Sequence, residues 1–102
     1  MAYEVEWAET AIISLVDAIE YIARDSPSYA AAFAVRAERA AASLDMFPER
    51  GRRVAEFNDP AVRELSIASH RLIYRVGATR VVVLAFVHKS RDLAGLLDEA
   101  PQ

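Results

Sequence analysis

Apolar and polar positions alternate from Tyr3 to Trp7, with Tyr3, Val5 and Trp7 on one side and Glu4 and Glu6 on the other. A period of two predicts a short strand with one buried and one wet face. From Ala8 the period lengthens. Ala8, Ala11, Ile12, Leu15, Val16, Ile19, Ile22 and Ala23 follow the i, i+3, i+4, i+7 rule of an amphipathic helix, while Glu9, Asp17, Glu20 and Arg24 take the opposite side. That helix is expected to end near Asp25, because Pro27 disfavours a helical residue before it. Ser26 and Pro27 then suit the cap and first position of a second helix running to about Met46, with an apolar stripe of Ala30, Phe33, Ala37, Ala40, Ala41 and Leu44. The short connection makes the two helices an antiparallel hairpin.

Periodicity vanishes between Pro48 and Pro60, a stretch holding Gly51 and Asn58-Asp59-Pro60, and predicts a surface loop. Three strands are expected after it. Val62 to Ile67 reads as half-buried, a turn at Ala68 and Ser69 follows, and in His70 to Val76 the residues Leu72, Tyr74 and Val76 alternate with Arg71, Ile73 and Arg75. Gly77-Ala78-Thr79 closes another hairpin, and Val81 to Val87 is apolar throughout, as in a central strand covered on both sides. Residues beyond Leu93 read as a tail or a helical turn. The order β-α-α-β-β-β predicts an α+β domain in which a helical hairpin packs on a mainly antiparallel four-stranded sheet, its first strand beside its last.

Length bounds the function. With 102 residues the chain is expected to form one domain over residues 1–102, too small for a large enclosed pocket. It has no cysteine, which excludes disulfides and thiolate metal sites and fits a reducing cytoplasm. Neither a secretory signal nor a membrane-spanning run is expected. Charge is uneven. Met1 to Glu49 carries 3 basic and 9 acidic residues, a balance of −6, whereas Arg50 to Gln102 carries 9 basic and 6 acidic, a balance of +3. The second half is therefore the side expected to meet an anionic partner.

Several stretches are similar to the RelE/ParE toxin superfamily of type II toxin–antitoxin systems, and to its ParE side more than to RelE. They are Val5-Glu6-Trp7 leading to Ala11, Asp25-Ser26-Pro27, Leu44 with Phe47-Pro48-Glu49-Arg50-Gly51-Arg52, Arg63-Glu64-Leu65, His70 to Val76, and Val87-His88-Lys89-Ser90-Arg91-Asp92. The resemblance implies the same fold and a toxin neutralised by a cognate antitoxin from a neighbouring gene. It implies one of two targets: DNA gyrase, bound without catalysis, or the ribosome, where RelE-like members cleave messenger RNA. A member that only binds an antitoxin is the third alternative.

Cleavage through the RNA 2′-hydroxyl needs a general base, a general acid and positive charge for the developing phosphorane. By the resemblance, Arg71 and Arg91 match two arginines of RelE-like nucleases. The expected lysines are replaced by Val62 and Glu64, and Leu97 stands where a tyrosine is expected. A nuclease would have to be assembled from Arg71, His88, Arg91 and Glu64. Against that, His88 is read as a strand-end histidine and His70 as a turn residue, so a non-enzymatic toxin is the preferred expectation.

Partner contact is expected from Arg63, Arg71, Arg75, Lys89, Arg91 and the loop arginines Arg50, Arg52 and Arg53. Arg71 and Arg75 share a strand face, where two roles remain open: an exposed grip on phosphate or carboxylate, or an ion pair with Glu64 on the adjacent strand. On the first of these, Arg71→Ala is expected to weaken partner binding and leave the fold intact. The loop arginines read foremost as solvated. No glycine-rich phosphate cradle or metal-spaced cluster is visible, and neither metal nor organic cofactor is expected.

Overall fold

The protein is described by a computed structural model over residues 2–93. Strand β1 spans Glu4–Trp7, helix α1 Glu9–Ala23 and helix α2 Pro27–Ala42; a 3-10 turn at Ser43–Asp45 follows, then strands β2 Arg52–Arg53, β3 Val62–Ile67, β4 His70–Val76 and β5 Arg80–His88. The sheet has the order β1-β5-β4-β3-β2, with β1 parallel to β5 and the other pairs antiparallel. The first strand thus lies beside the last, and β5 is interior, as the pattern predicts. Leu97 and the expected C-terminal tail lie outside the described residues.

Between the helices the local chemistry acts as expected. Ser26 Oγ accepts a hydrogen bond from the Tyr29 N–H at 3.2 Å, and Pro27 opens α2 where its missing N–H costs nothing. Helix α2 ends at Ala42, short of the expected Met46, and Leu44 is still buried through the 3-10 turn. Its small residues Ala30, Ala37 and Ala41 and its Phe33 face the core, so the backbone can sit close to the sheet. On α1 the apolar stripe is wider than the surface available to cover it. Ala11 is buried and Leu15, Ala18, Ile19 and Ile22 pack against the core, yet Ile12, Ile13 and Val16 are 47%, 51% and 44% exposed.

Strand β5 is covered on both faces, as its unbroken apolar run predicts, and a bulge divides it. Ile73 pairs with Ala85 but Tyr74 with Val83, so Leu84 is an extra residue and the ladder bulges there. A bulge reverses the facing of all residues beyond it. Val81, Val83 and Phe86 consequently enter the core beneath the helices, while Ala85 and Val87 join Val54, Val62, Ile73, Phe57 and Leu93 on the other face. Among the described residues that second face is covered by Val54 and Phe57 of the loop and by Leu93.

The expected surface loop is corrected by the same observation. It contributes a fifth strand, Arg52–Arg53, and buries Gly51 and Val54. Buried Tyr74 anchors it, its hydroxyl accepting the Gly51 N–H at 2.9 Å, and Arg63 Nη1 donates to the Gly51 carbonyl at 2.8 Å. A side chain at position 51 has no room: a Cβ there would stand 2.5 Å from the Tyr74 hydroxyl and 2.6 Å from the Glu64 carbonyl oxygen.

Candidate functional site

The face of the sheet turned away from the helices carries the polar chemistry. Register places Arg52 opposite Glu64 and Glu64 opposite Ile73, and Arg71 two pairs further along, opposite Ser66. From there Arg71 reaches diagonally back to Glu64, a separation that long side chains bridge on one sheet face. Loop residue Glu56 comes over the top. With Arg52, Arg53, Ala55 and Lys89, these groups line a cleft of about 480 Å³.

Glu64 lies deepest, its side chain only 2% exposed. Its Oε1 accepts from Arg71 Nε at 3.1 Å and from Arg52 Nη2 at 3.2 Å, and Arg71 Nη2 binds its Oε2. Burial of a carboxylate is tolerated only when donors replace the lost water, and here two guanidinium groups do so. Arg71 is engaged on its outer edge as well, donating from Nη1 and Nη2 to the two oxygens of Glu56, each at 3.1 Å. Hydrogen bonds to Glu56 and then Glu64 hold the Arg71 guanidinium above its already high ordinary pKa. The hydrogen bond from Arg71 in turn holds Glu56 below the usual carboxylate value.

Of the two roles left open for Arg71, the ion pair with Glu64 is the one present. Its side chain is 13% exposed, so the expectation of an exposed strand-face grip is corrected. Arg75 is different. It is 54% exposed and pairs with Asp59, whose carboxyl is lowered first by the Ala61 N–H at 2.9 Å and then by Arg75. Arg63 points to the helix side, where it ties down the loop by the carbonyls of Gly51 and Glu49, and is not on the face of Arg71. Arg50, expected as a solvated loop residue, donates to Ser43 Oγ at 2.6 Å, away from the cleft. Arg52 is a strand residue that supports Glu64 while remaining 76% exposed.

His88 and Arg91 belong to another place. They line a cleft of about 450 Å³ between the helical hairpin and the ends of β4 and β5, with Asp17, Tyr21, Tyr29, Phe33 and His70. His70 is no turn residue. It opens β4, stacks on Phe86 at 5.0 Å and meets Phe33 and His88 edge-on at 5.3 and 5.2 Å. Its Nδ1 is buried without a partner, and burial, followed by the nearby His88, pushes its imidazole below the ordinary value. His88 is exposed, its Nδ1 hydrogen bonded to Ser90 Oγ at 2.8 Å.

The residues from which a nuclease would have to be built therefore do not converge. Arg71 pairs with Val87 across β4 and β5, whereas His88 pairs with His70, so successive positions place Arg71 and His88 on opposite faces of the sheet. Sequence reasoning brought Arg52, Arg53, Glu64, Arg71 and Lys89 to notice, and the fold unites them. It missed Glu56, whose position in an aperiodic loop carries no signal of what it meets.

Residues 5–93 match a family model described as the ParE toxin of the type II toxin–antitoxin system, parDE. A chromosomal ParDE toxin–antitoxin structure from P. aeruginosa contains a chain similar over 85% of this one and 96% of its own length, at 20% identity and a TM-score of 0.66. A chain from the RelBE2 toxin–antitoxin complex of Mycobacterium tuberculosis is similar over 86% of this chain and 99% of its own, at 24% identity and a TM-score of 0.58. Among curated proteins, none matches.

Proposed function

The chain belongs to the ParE toxin family of type II toxin–antitoxin systems, and on that premise we propose that it arrests growth by binding a cytoplasmic target, DNA gyrase, without catalysis of its own. The observation that carries this reading is the state of Arg71. Four of its N–H donors are taken by Glu64 and Glu56, and the imidazole of His88 lies on the opposite face of the sheet. Phosphate charge and proton transfer are thus served from different places, and a positioned acid or base usually contributes about 10²–10⁴-fold.

Neutralisation falls to a cognate antitoxin encoded by a neighbouring gene. Two surfaces suit such a partner: the exposed Ile12, Ile13 and Val16 of α1, which form an apolar patch on the helical hairpin, and the basic rim at Arg53 and Lys89. A partner segment that folds on binding can cover both, since it wraps a large area of a small domain.

The test is a gyrase supercoiling assay with the purified protein, run beside primer extension on translating ribosomes. Inhibition of supercoiling with intact transcripts is expected. Codon-specific cuts that disappear in His88→Ala would overturn the reading in favour of a RelE-like endoribonuclease, and loss of both effects with antitoxin binding kept would mark an inactive antitoxin-binding member.

A further inference from the structure

The Arg71 network is asymmetric in a way that the fold does not require. Glu64 is structural: it is 2% exposed, lies within β3, and is held by two arginines. Glu56 is not. It sits on the loop outside any strand, its side chain is 37% exposed, and it covers the outer edge of a guanidinium that Glu64 already neutralises. The cleft holds Arg52, Arg53, Arg71 and Lys89 against Glu56 and Glu64, which gives 4 − 2 = +2, and lifting Glu56 away raises this to 4 − 1 = +3.

We propose that Glu56 is an internal latch on a carboxylate-binding site: it occupies the outer edge of Arg71 until an aspartate or glutamate of an acidic partner segment replaces it. The geometry is that of carboxylate recognition, two parallel N–H···O bonds of 3.1 Å from one planar edge to both oxygens of Glu56. An incoming carboxylate makes the same two bonds. Arg53 and Lys89 on the rim attract it and take up the charge of its neighbours. A phosphate dianion fits less well, because Glu64 lies directly beneath the guanidinium and repels the second negative charge. The exchange is cheap because Glu56 is 37% exposed and regains water when it swings out, whereas several acidic side chains on one segment bring the incoming group to high local concentration. This inference rests on the reading that the basic face meets a protein partner, and it names the group that opens it.

The experiment needs neither antitoxin nor gyrase, so its failure and that of the proposed function are separable. The full chain, labelled with ¹⁵N, is titrated with a hexaglutamate peptide and with a single-stranded RNA hexamer while the arginine Nε–Hε resonances are followed. Wild type, Glu56→Gln and a remote charge-matched control, Glu38→Gln, are compared, with thermal unfolding showing that each remains folded. Expected is hexaglutamate binding about tenfold tighter in Glu56→Gln than in wild type, with the Arg71 Nε–Hε resonance moving most and Glu38→Gln behaving as wild type. Equal affinity of Glu56→Gln and wild type, an equal gain in Glu38→Gln, or preferential binding of the RNA hexamer would each overturn the latch.

Discussion

Replacing Arg71 by alanine strips a buried carboxylate of its principal partner. Glu64 would keep only Arg52, whose side chain is 76% exposed and reaches Oε1 from 3.2 and 3.4 Å. Breaking a buried ion pair from one side costs about 3–5 kcal/mol, and the retained Arg52 together with water entering the vacated space lowers this to about 2–3 kcal/mol. The loss of Glu56's partner adds little, because that carboxylate is free to turn into solvent. For a domain of this size each kcal/mol moves Tm by about 4–8 °C, so Arg71→Ala is expected to melt roughly 10–20 °C below wild type. Urea unfolding measures the free energy directly. The double variant Arg71→Leu/Glu64→Leu removes both charges and should recover most of the loss, because a buried pair replaced by apolar side chains is close to neutral. The reasoning is refuted if Arg71→Ala unfolds within about 0.5 kcal/mol of wild type, or if the double variant is less stable than the single one.

Gly51→Ala should cost about 1–3 kcal/mol in urea unfolding, since the new Cβ meets the Tyr74 hydroxyl and the Glu64 carbonyl and both belong to packed strands. Tyr74→Phe, which removes only the hydrogen bond to the Gly51 N–H, should cost about 1 kcal/mol in the same measurement. His70 has a folded-state pKa below its unfolded value of 6.5, so the unfolded chain takes up the proton first and stability is lost as pH falls below that value. His88 adds to the effect of burial, with Asp17, Tyr21, Tyr29 and Arg91 lining the same cleft, and His70→Phe should flatten the slope of Tm between about pH 7 and about pH 5. Glu56, held low by Arg71, adds its own loss only below 4.5, which separates the two in a pH series of melts. Finally, Arg53→Glu and Lys89→Glu should slow association with the antitoxin by about tenfold at low salt while leaving Tm unchanged, as stopped-flow mixing would show; unaltered rates would remove the basic rim from the interface.

Much of the architecture is legible along the chain. The change from period two to period 3.6 at Ala8 marks the passage from β1 to α1, the Ser26-Pro27 cap places the start of α2, and the alternation of Leu72 and Tyr74 with Arg71 and Ile73 assigns the faces of β4. These are short-range signals, carried by residues a few positions apart. The family resemblance is equally a matter of ordered local stretches. The bulge at Leu84 is not legible, because an apolar run looks the same whether its side chains alternate strictly between two covered faces or skip a residue halfway. Nor is the short strand β2, whose two arginines have no pattern to alternate with.

The site divides along the same line. Residue types alone specify which chemistry is present: a basic second half, a single acidic residue among the arginines of β3 and β4, and two histidines near the strand ends. Whether Arg71 is offered to a partner or held by Glu64 depends on long-range packing. The loop folding back over the sheet brings Glu56, fifteen residues away, onto the same guanidinium, and the pleat sends Arg71 and His88 to opposite faces. Burial and partnership of a charge are set by contacts between residues far apart in the chain, and those exist only once the sheet and its covering loop have formed.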